Sequence, residues 1–106
     1  MTLHVVDQFD PEHKMASRYP KIFGCTSHAQ WRFEQRFGGR LTAELVVQWR
    51  KLILQGACAR RPGNVDHRDI CFCHWSAKNV EVPVIYDYET DIIVTVLPRA
   101  SVQVVA

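Results

Sequence analysis

No stretch of this chain is long and apolar enough to cross a bilayer. The longest apolar runs, 92–97 and 102–106, fall far short of the ~20 residues that a spanning helix needs. An export signal is missing as well. His4, Asp7, Gln8 and Asp10 break up the apolar residues near Met1, where a signal peptide carries an unbroken apolar core. The expectation is an intracellular, cytoplasmic protein. Charge of one sign is also scarce. The excess is only +2 with histidines neutral, which permits a nucleic-acid partner without requiring one. Nor is there a glycine-rich phosphate loop, an H-E-x-x-H or a G-x-S-x-G, and each absence removes the enzyme class that the motif marks.

What remains is an ordinary globular composition. Of 106 residues, 47% are hydrophobic and 23% charged, which excludes a disordered chain and suits one domain with a core of its own. The four cysteines are Cys25, Cys58, Cys71 and Cys73. Without an export signal, reduced and mostly buried thiols are expected, with no disulfide. Cys58, His67, Cys71, Cys73 and His74 include zinc-type donors, but the C-x-C-H run lacks the paired C-x-x-C knuckles of a zinc site. The expectation is no metal and no cofactor.

Residues 1–25 read as an N-terminal arm. A short strand is expected at 3–6, and Pro11 and Pro20 punctuate the rest of the arm. Residues 26–106 read as the domain. Ser27 and Gln30 form a capping-box pattern opening a helix over 28–37, which Gly38-Gly39 ends. Ala29, Phe33 and Phe37 share the side expected to face the core. Thr42 caps a second helix over 43–55, closed by Gly56. That helix is apolar nearly all round, with Leu45, Val46, Leu52 and Ile53 in the predicted core, so it reads as the central buried helix. Arg50 interrupts its apolar arc and needs a partner or a path to water.

Residues 60–64 read as a loop around Pro62-Gly63. After it the periodicity changes to that of strands, at 67–75, 80–86 and 92–97, with a further one possible at 101–105. In the first, Ile70, Phe72 and His74 alternate with Cys71, Cys73 and Trp75. Pro83 suits an edge or a bulge. The predicted fold is α+β: two N-terminal helices packed on one face of an antiparallel sheet of three to five strands.

The residues best suited to chemistry are His28, Arg32 and Arg36, at i, i+4 and i+8 on the first helix, with Arg40 just beyond it. An imidazole moves protons near neutral pH, and guanidinium groups hold phosphate and offset charge in its transition states. Metal-free RNA cleavage needs such parts: a base for the 2′-hydroxyl, cations for the phosphate and an acid for the leaving oxygen. A solvated basic face is the plain alternative. Among the aromatic residues, Trp49 and Trp75 are expected in the core, whereas Trp31 and Tyr88 sit beside polar residues and are the surface candidates for stacking on bases.

The runs H-A-Q-W-R-F-E-Q-R-F at 28–37, V-P-V-I-Y-D at 82–87 and I-I-V-T-V-L-P at 92–98, with a helix between them ending at Gly56, resemble the RelE/ParE-like group. That group belongs to the barnase–EndoU–colicin–RelE assemblage of small toxin nucleases. The resemblance spans residues 26–99 and implies helices on one face of an antiparallel sheet, with a cleft holding His, Arg and Ser/Thr or Tyr. It implies that His28, Arg32 and Arg36 match the first-helix H…R…R pattern and that Thr95 matches the threonine of the last strand. Members of the group are often metal-independent ribonucleases, while others have lost catalysis and bind protein partners. The chain departs from the group in its 1–25 extension, its cysteine-rich middle strand and its low charge.

Two classes of function are expected. The first is a toxin-type ribonuclease acting on RNA and controlled by a partner such as an antitoxin. In it His28, Arg32, Arg36 and Thr95 would be catalytic, and Arg40, Tyr86 and Trp31 would bind substrate. The second is a non-catalytic interaction protein on the same scaffold, such as a phage or mobile-element inhibitor of a host complex.

Overall fold

A computed structural model of the chain describes residues 18–99. The strands expected at 3–6 and 101–105 lie outside them, as does most of the expected arm. Among the described residues are two helices, α1 (Ser27–Phe37) and α2 (Ala43–Leu54), followed by four strands, β1 (Ala59–Pro62), β2 (Arg68–Trp75), β3 (Val80–Asp87) and β4 (Ile92–Val96). The strands form one antiparallel meander in the order β1-β2-β3-β4. The α+β architecture with helices preceding the sheet is therefore as expected, with four strands in the sheet.

The cap of α1 is one residue earlier than the capping-box pattern predicts. Thr26, not Ser27, is the N-cap. Its extended backbone (φ −81°, ψ 159°) lets its hydroxyl accept from the Ala29 amide at 2.9 Å. The same hydroxyl donates to the Val94 carbonyl at 2.7 Å, so one side chain starts the helix and fastens it to β4. Gln30 is buried and donates to the Pro20 carbonyl at 2.8 Å, so its side chain serves the preceding segment. Gly38 ends α1 in the left-handed region, at φ 73°, where its amide donates to the Glu34 carbonyl. Thr42 caps α2 as predicted, accepting from Leu45 at 3.1 Å.

Residues 18–25, assigned by the sequence to the arm, pack onto the domain. Tyr19 is buried with its hydroxyl donating to Glu34. Cys25 makes a parallel bridge to Ile93. The Thr26 amide donates to the Ile93 carbonyl at 3.1 Å, and the Ile93 amide donates to Gly24 at 2.8 Å. This segment covers the outer edge of β4, which would otherwise present unpaired backbone groups.

The core lies between the helices and one face of the sheet. Ala29 and Phe33 of α1 and Val46, Trp49 and Ile53 of α2 meet Cys71, Cys73, Val82, Val84, Tyr86, Ile93 and Val96. The Phe33 ring packs edge-on against Trp49 and Trp75, with centroids 5.6 and 4.8 Å away. The indole of buried Trp49 donates to the His74 carbonyl at 3.0 Å, beside the start of β1.

Three further expectations are corrected. First, α2 is not buried all round. Its buried stripe is Val46, Trp49 and Ile53, at i, i+3 and i+7; Leu45 and Leu52 are half-buried; Val47 and Leu54 are each 57% exposed. With the sheet on only one side, α2 has a single stripe to bury. Second, the loop expected at 60–64 is largely strand β1. Arg60, Arg61 and Pro62 have weak strand preference, and pairing with β2 overrides it. Charge and proline are characteristic of an edge strand. Third, Pro83 lies in β3, an interior strand. Its carbonyl accepts from Leu97 at 2.8 Å on the β4 side. In an antiparallel strand the N and O of one residue point the same way, so the missing N–H faces the point where β4 ends and costs β2 no ladder bond.

Candidate functional site

The stripe on α1 is built by helical geometry. A helix turns about 100° per residue, so His28, Arg32 and Arg36 drift by about 40° at each step. Arg36 therefore comes nearest the core-facing line of Ala29 and Phe33. Its guanidinium reaches across to donate to the Val96 carbonyl at 2.7 Å, at the end of β4. Burial, and then the neighbouring charge of Arg32, push its pKa below the usual arginine value.

Arg32 stands further out. Its Nη1 donates to the Gln35 side-chain oxygen at 2.8 Å, and its guanidinium lies over the Trp31 ring, 4.2 Å from the centroid. His28 meets the same Trp31 edge-on, with centroids 5.5 Å apart. Trp31 is half-buried and links the two: imidazole, indole and guanidinium form one continuous surface of nitrogen donors and π-faces.

The electrostatic character of this surface is set by the partners of its arginines. Three other arginines face carboxylates, Arg18 at 3.9 Å from Glu34, Arg60 at 3.7 Å from Asp69 and Arg68 at 2.8 Å from Asp87, whereas Arg50, like Arg36, donates to a backbone carbonyl. Among the described residues, Arg32 and Arg36 form no ion pair; their hydrogen-bond acceptors are a neutral amide and a backbone carbonyl. Two like charges thus sit side by side, uncompensated by the described residues.

The other predicted site residues are placed differently. Arg40 is exposed beyond Gly38 and Gly39. Thr95 is half-buried and pairs with Ile85. The pairs on either side of it, Val84 with Val96 and Tyr86 with Ile93, belong to the helix-side core, so Thr95 is on the opposite face of the sheet. A register shift leaves Val94 without a counterpart between Thr95 and Ile93, and the Val94 carbonyl is the one that receives Thr26. Tyr86 is fully buried, and its hydroxyl donates to Asp91 at 3.1 Å. Burial, then the Asp91 bond, raise its pKa. It is a core residue, not one presented to a ligand. The structure therefore gathers His28, Trp31, Arg32 and Arg36, and leaves Thr95 and Tyr86 apart from them.

Sequence reasoning missed a polar cluster around Asp87. This carboxylate is buried and accepts from Arg68 Nε at 2.8 Å and from the amides of Glu89 and Thr90 at 2.9 and 3.0 Å. His67 Nε2 lies 3.4 Å away. Burial alone would raise the carboxyl pKa, but the guanidinium and the two amides outweigh it and hold it at about 2. Asp87 opens the D-Y-E-T-D run that joins β3 to β4, and an aspartate at the start is the usual signal for such a turn. Arg50, which needed a partner, donates to the Asp91 carbonyl at 3.0 Å in the same loop and covers the Phe23 ring. These contacts hold the β3–β4 turn in place.

No three His, Cys, Asp or Glu among the described residues are placed to hold a metal ion, and no helix among them is long and apolar enough to cross a membrane. No family model matches the chain, and no match was found among curated proteins or solved structures.

Proposed function

We propose that the α1 face is a phosphate-binding surface for RNA and that the protein is a small, metal-independent ribonuclease of toxin type, acting in the cytoplasm. The observation that carries this reading is the pairing of Arg32 and Arg36: adjacent cations whose acceptors among the described residues are neutral. Such a pair favours a bound anion, and guanidinium forks match phosphate oxygens. Trp31 offers a ring on which a base can stack, whereas Arg40 lies by Tyr19, whose hydroxyl donates to Glu34 on the other flank of α1.

In this reading His28 takes the proton of a ribose 2′-hydroxyl. The 2′-oxygen attacks phosphorus, the bond from phosphorus to the 5′-oxygen breaks, that oxygen takes a proton from solvent water, and a 2′,3′-cyclic phosphate remains. Arg32 offsets the charge on the phosphoryl oxygens. Thr95, on the other sheet face, and Tyr86, in the core, take no part in this step. Their positions favour the second reading, a non-catalytic interaction protein binding an antitoxin or a host complex, because neither of them can supply the second proton transfer.

The test is incubation of pure protein with end-labelled RNA, with and without ribosomes, in EDTA. The ribonuclease reading expects cleavage by the wild type and a loss of about 10²–10⁴-fold in rate in His28→Ala, with RNA binding retained. Equal background from wild type and His28→Ala, with or without ribosomes, refutes cleavage. RNA binding that depends on Arg32 but yields no product supports the phosphate surface alone.

A further inference from the structure

A second cluster of reactive side chains lies at the other end of the sheet, on its helix-facing side. The β1–β2 register pairs Ala59 with Phe72 and Arg60 with Cys71. One step beyond, Cys58 comes opposite Cys73. The Gly63 amide donates to the Arg68 carbonyl, which makes 63/68 a hydrogen-bonded pair. Alternation along an antiparallel ladder then makes 59/72 a bonded pair and 58/73 a non-hydrogen-bonded one. In such pairs the Cα atoms are about 4.5 Å apart and the side chains closest, which is inside the span a disulfide bridges. Cys71, on the same face, is diagonal to Cys58, with backbones about 7–8 Å apart, beyond that span.

We infer that Cys58 and Cys73 are a redox pair that closes to a disulfide on exposure to a hydroperoxide and fastens the exit of α2 to β2. The two thiols are chemically unequal. Cys58 is half-buried and reachable, whereas Cys73 is fully buried. Hydrogen bonding from Cys73 is the main influence that lowers the Cys58 pKa, with Arg60 adding to it against burial and Glu81. The same bond, burial and the Cys58 charge raise Cys73. Arg60 is fixed nearby, donating to the Tyr88 hydroxyl at 2.6 Å and the Ile53 carbonyl at 3.1 Å. An accessible thiol with lowered pKa beside a buried second thiol is the arrangement of an attacking and a resolving cysteine.

The chemistry balances with the hydroperoxide as oxidant. The Cys58 thiolate attacks a peroxide oxygen, forming S–O and breaking O–O, and the alcohol (or water) leaves with a proton. Cys73 then gives up its proton, its sulfur attacks the sulfenic sulfur of Cys58, S–S forms, S–O breaks, and water leaves. Two thiols and one hydroperoxide become one disulfide, one alcohol and one water. A dithiol reverses the change.

The experiment treats the full chain with equimolar hydrogen peroxide, blocks remaining thiols with iodoacetamide and digests with trypsin. The expected result is a mass loss of two hydrogens, reversed by dithiothreitol. Peptide 52–60 should be linked to peptide 69–78, and fragment ions should assign the bond to Cys73, not Cys71. Cys58→Ser should abolish the link. Cys71→Ser should leave it, and if that core variant fails to fold, the fragment ions of the wild type decide alone. All four thiols still open to alkylation after unfolding, or a bond through Cys25 or Cys71 instead, overturns the inference.

Discussion

Removing the Phe33 ring is the sharpest test of how α1 is held to the sheet. Phe33 is fully buried, and its ring centroid lies 5.6 Å from Trp49, 4.8 Å from Trp75 and 5.9 Å from Phe37. Truncating a buried phenylalanine costs about 3–5 kcal/mol through lost transfer energy and the cavity left behind. Aromatic pairs add about 0.5–1.5 kcal/mol beyond area. With three such neighbours, Phe33→Ala belongs at the upper end, about 4–5 kcal/mol. A domain has only about 5–15 kcal/mol in total, so this variant should be close to unfolding at room temperature. Phe33→Leu keeps most of the apolar volume and loses the ring pairs, for about 1.5–3 kcal/mol. Phe37 is half-buried with Phe33 as its ring neighbour, and Phe37→Ala should cost only about 1–2 kcal/mol. Urea unfolding followed by tryptophan fluorescence reads all three through the midpoint, provided the slope is unchanged. A loss below about 1 kcal/mol for Phe33→Ala, or one no greater than that of Phe37→Ala, would refute this packing of α1.

Three further outcomes are expected from particular contacts. Thr26→Ala should cost about 0.5–2 kcal/mol as a lost N-cap, whereas Ser27→Ala, just inside the helix, should stay within about 0.5 kcal/mol; the reverse order in thermal unfolding would return the cap to Ser27. The Asp87 carboxyl sits at about 2 in the folded protein, below its ordinary value of 3.8, so its contribution is present above about pH 4 and is lost as pH falls towards 2. Asp87→Asn should be less stable at neutral pH and should flatten that acid limb, and an unchanged limb in acid titration would show that the guanidinium and amides do not hold the carboxylate. Arg32→Ala should reduce the salt dependence of single-stranded RNA binding by about 0.7 in the log–log slope, as expected for one phosphate contact, and an unchanged slope by fluorescence anisotropy would remove Arg32 from the interface.

The sequence determined a good deal by itself. Local signals marked both helices: the Thr42 hydroxyl able to cap the second, apolar residues recurring three and four apart, and glycines where the chain must turn left-handed, although the capping-box pattern put the first cap at Ser27, one residue late. The alternation of Cys71, Cys73 and Trp75 with Ile70, Phe72 and His74 separated the two faces of β2, and the packing of the helices chose the first as the core face. The i, i+4, i+8 spacing of His28, Arg32 and Arg36 placed them on one side of α1. Such features depend on residues within a turn or two of one another, so their physics is written in the local run.

The tertiary structure decided the rest, because it depends on partners far along the chain. Arg60, Arg61 and Pro62 form a strand only because β2 offers its edge. Pro83 is tolerated in an interior strand only because β4 ends where its N–H is missing. Tyr86 read as a substrate-binding residue until the fold buried it and turned its hydroxyl to Asp91. Arg36 was one cation of a stripe until packing turned it towards the Val96 carbonyl. Thr95 was a matching letter until the pleat sent it to the opposite face. Cys58 and Cys73, fifteen residues apart in sequence, became neighbours through strand register alone. A side chain's type is local, but its burial and its partners are properties of the whole fold.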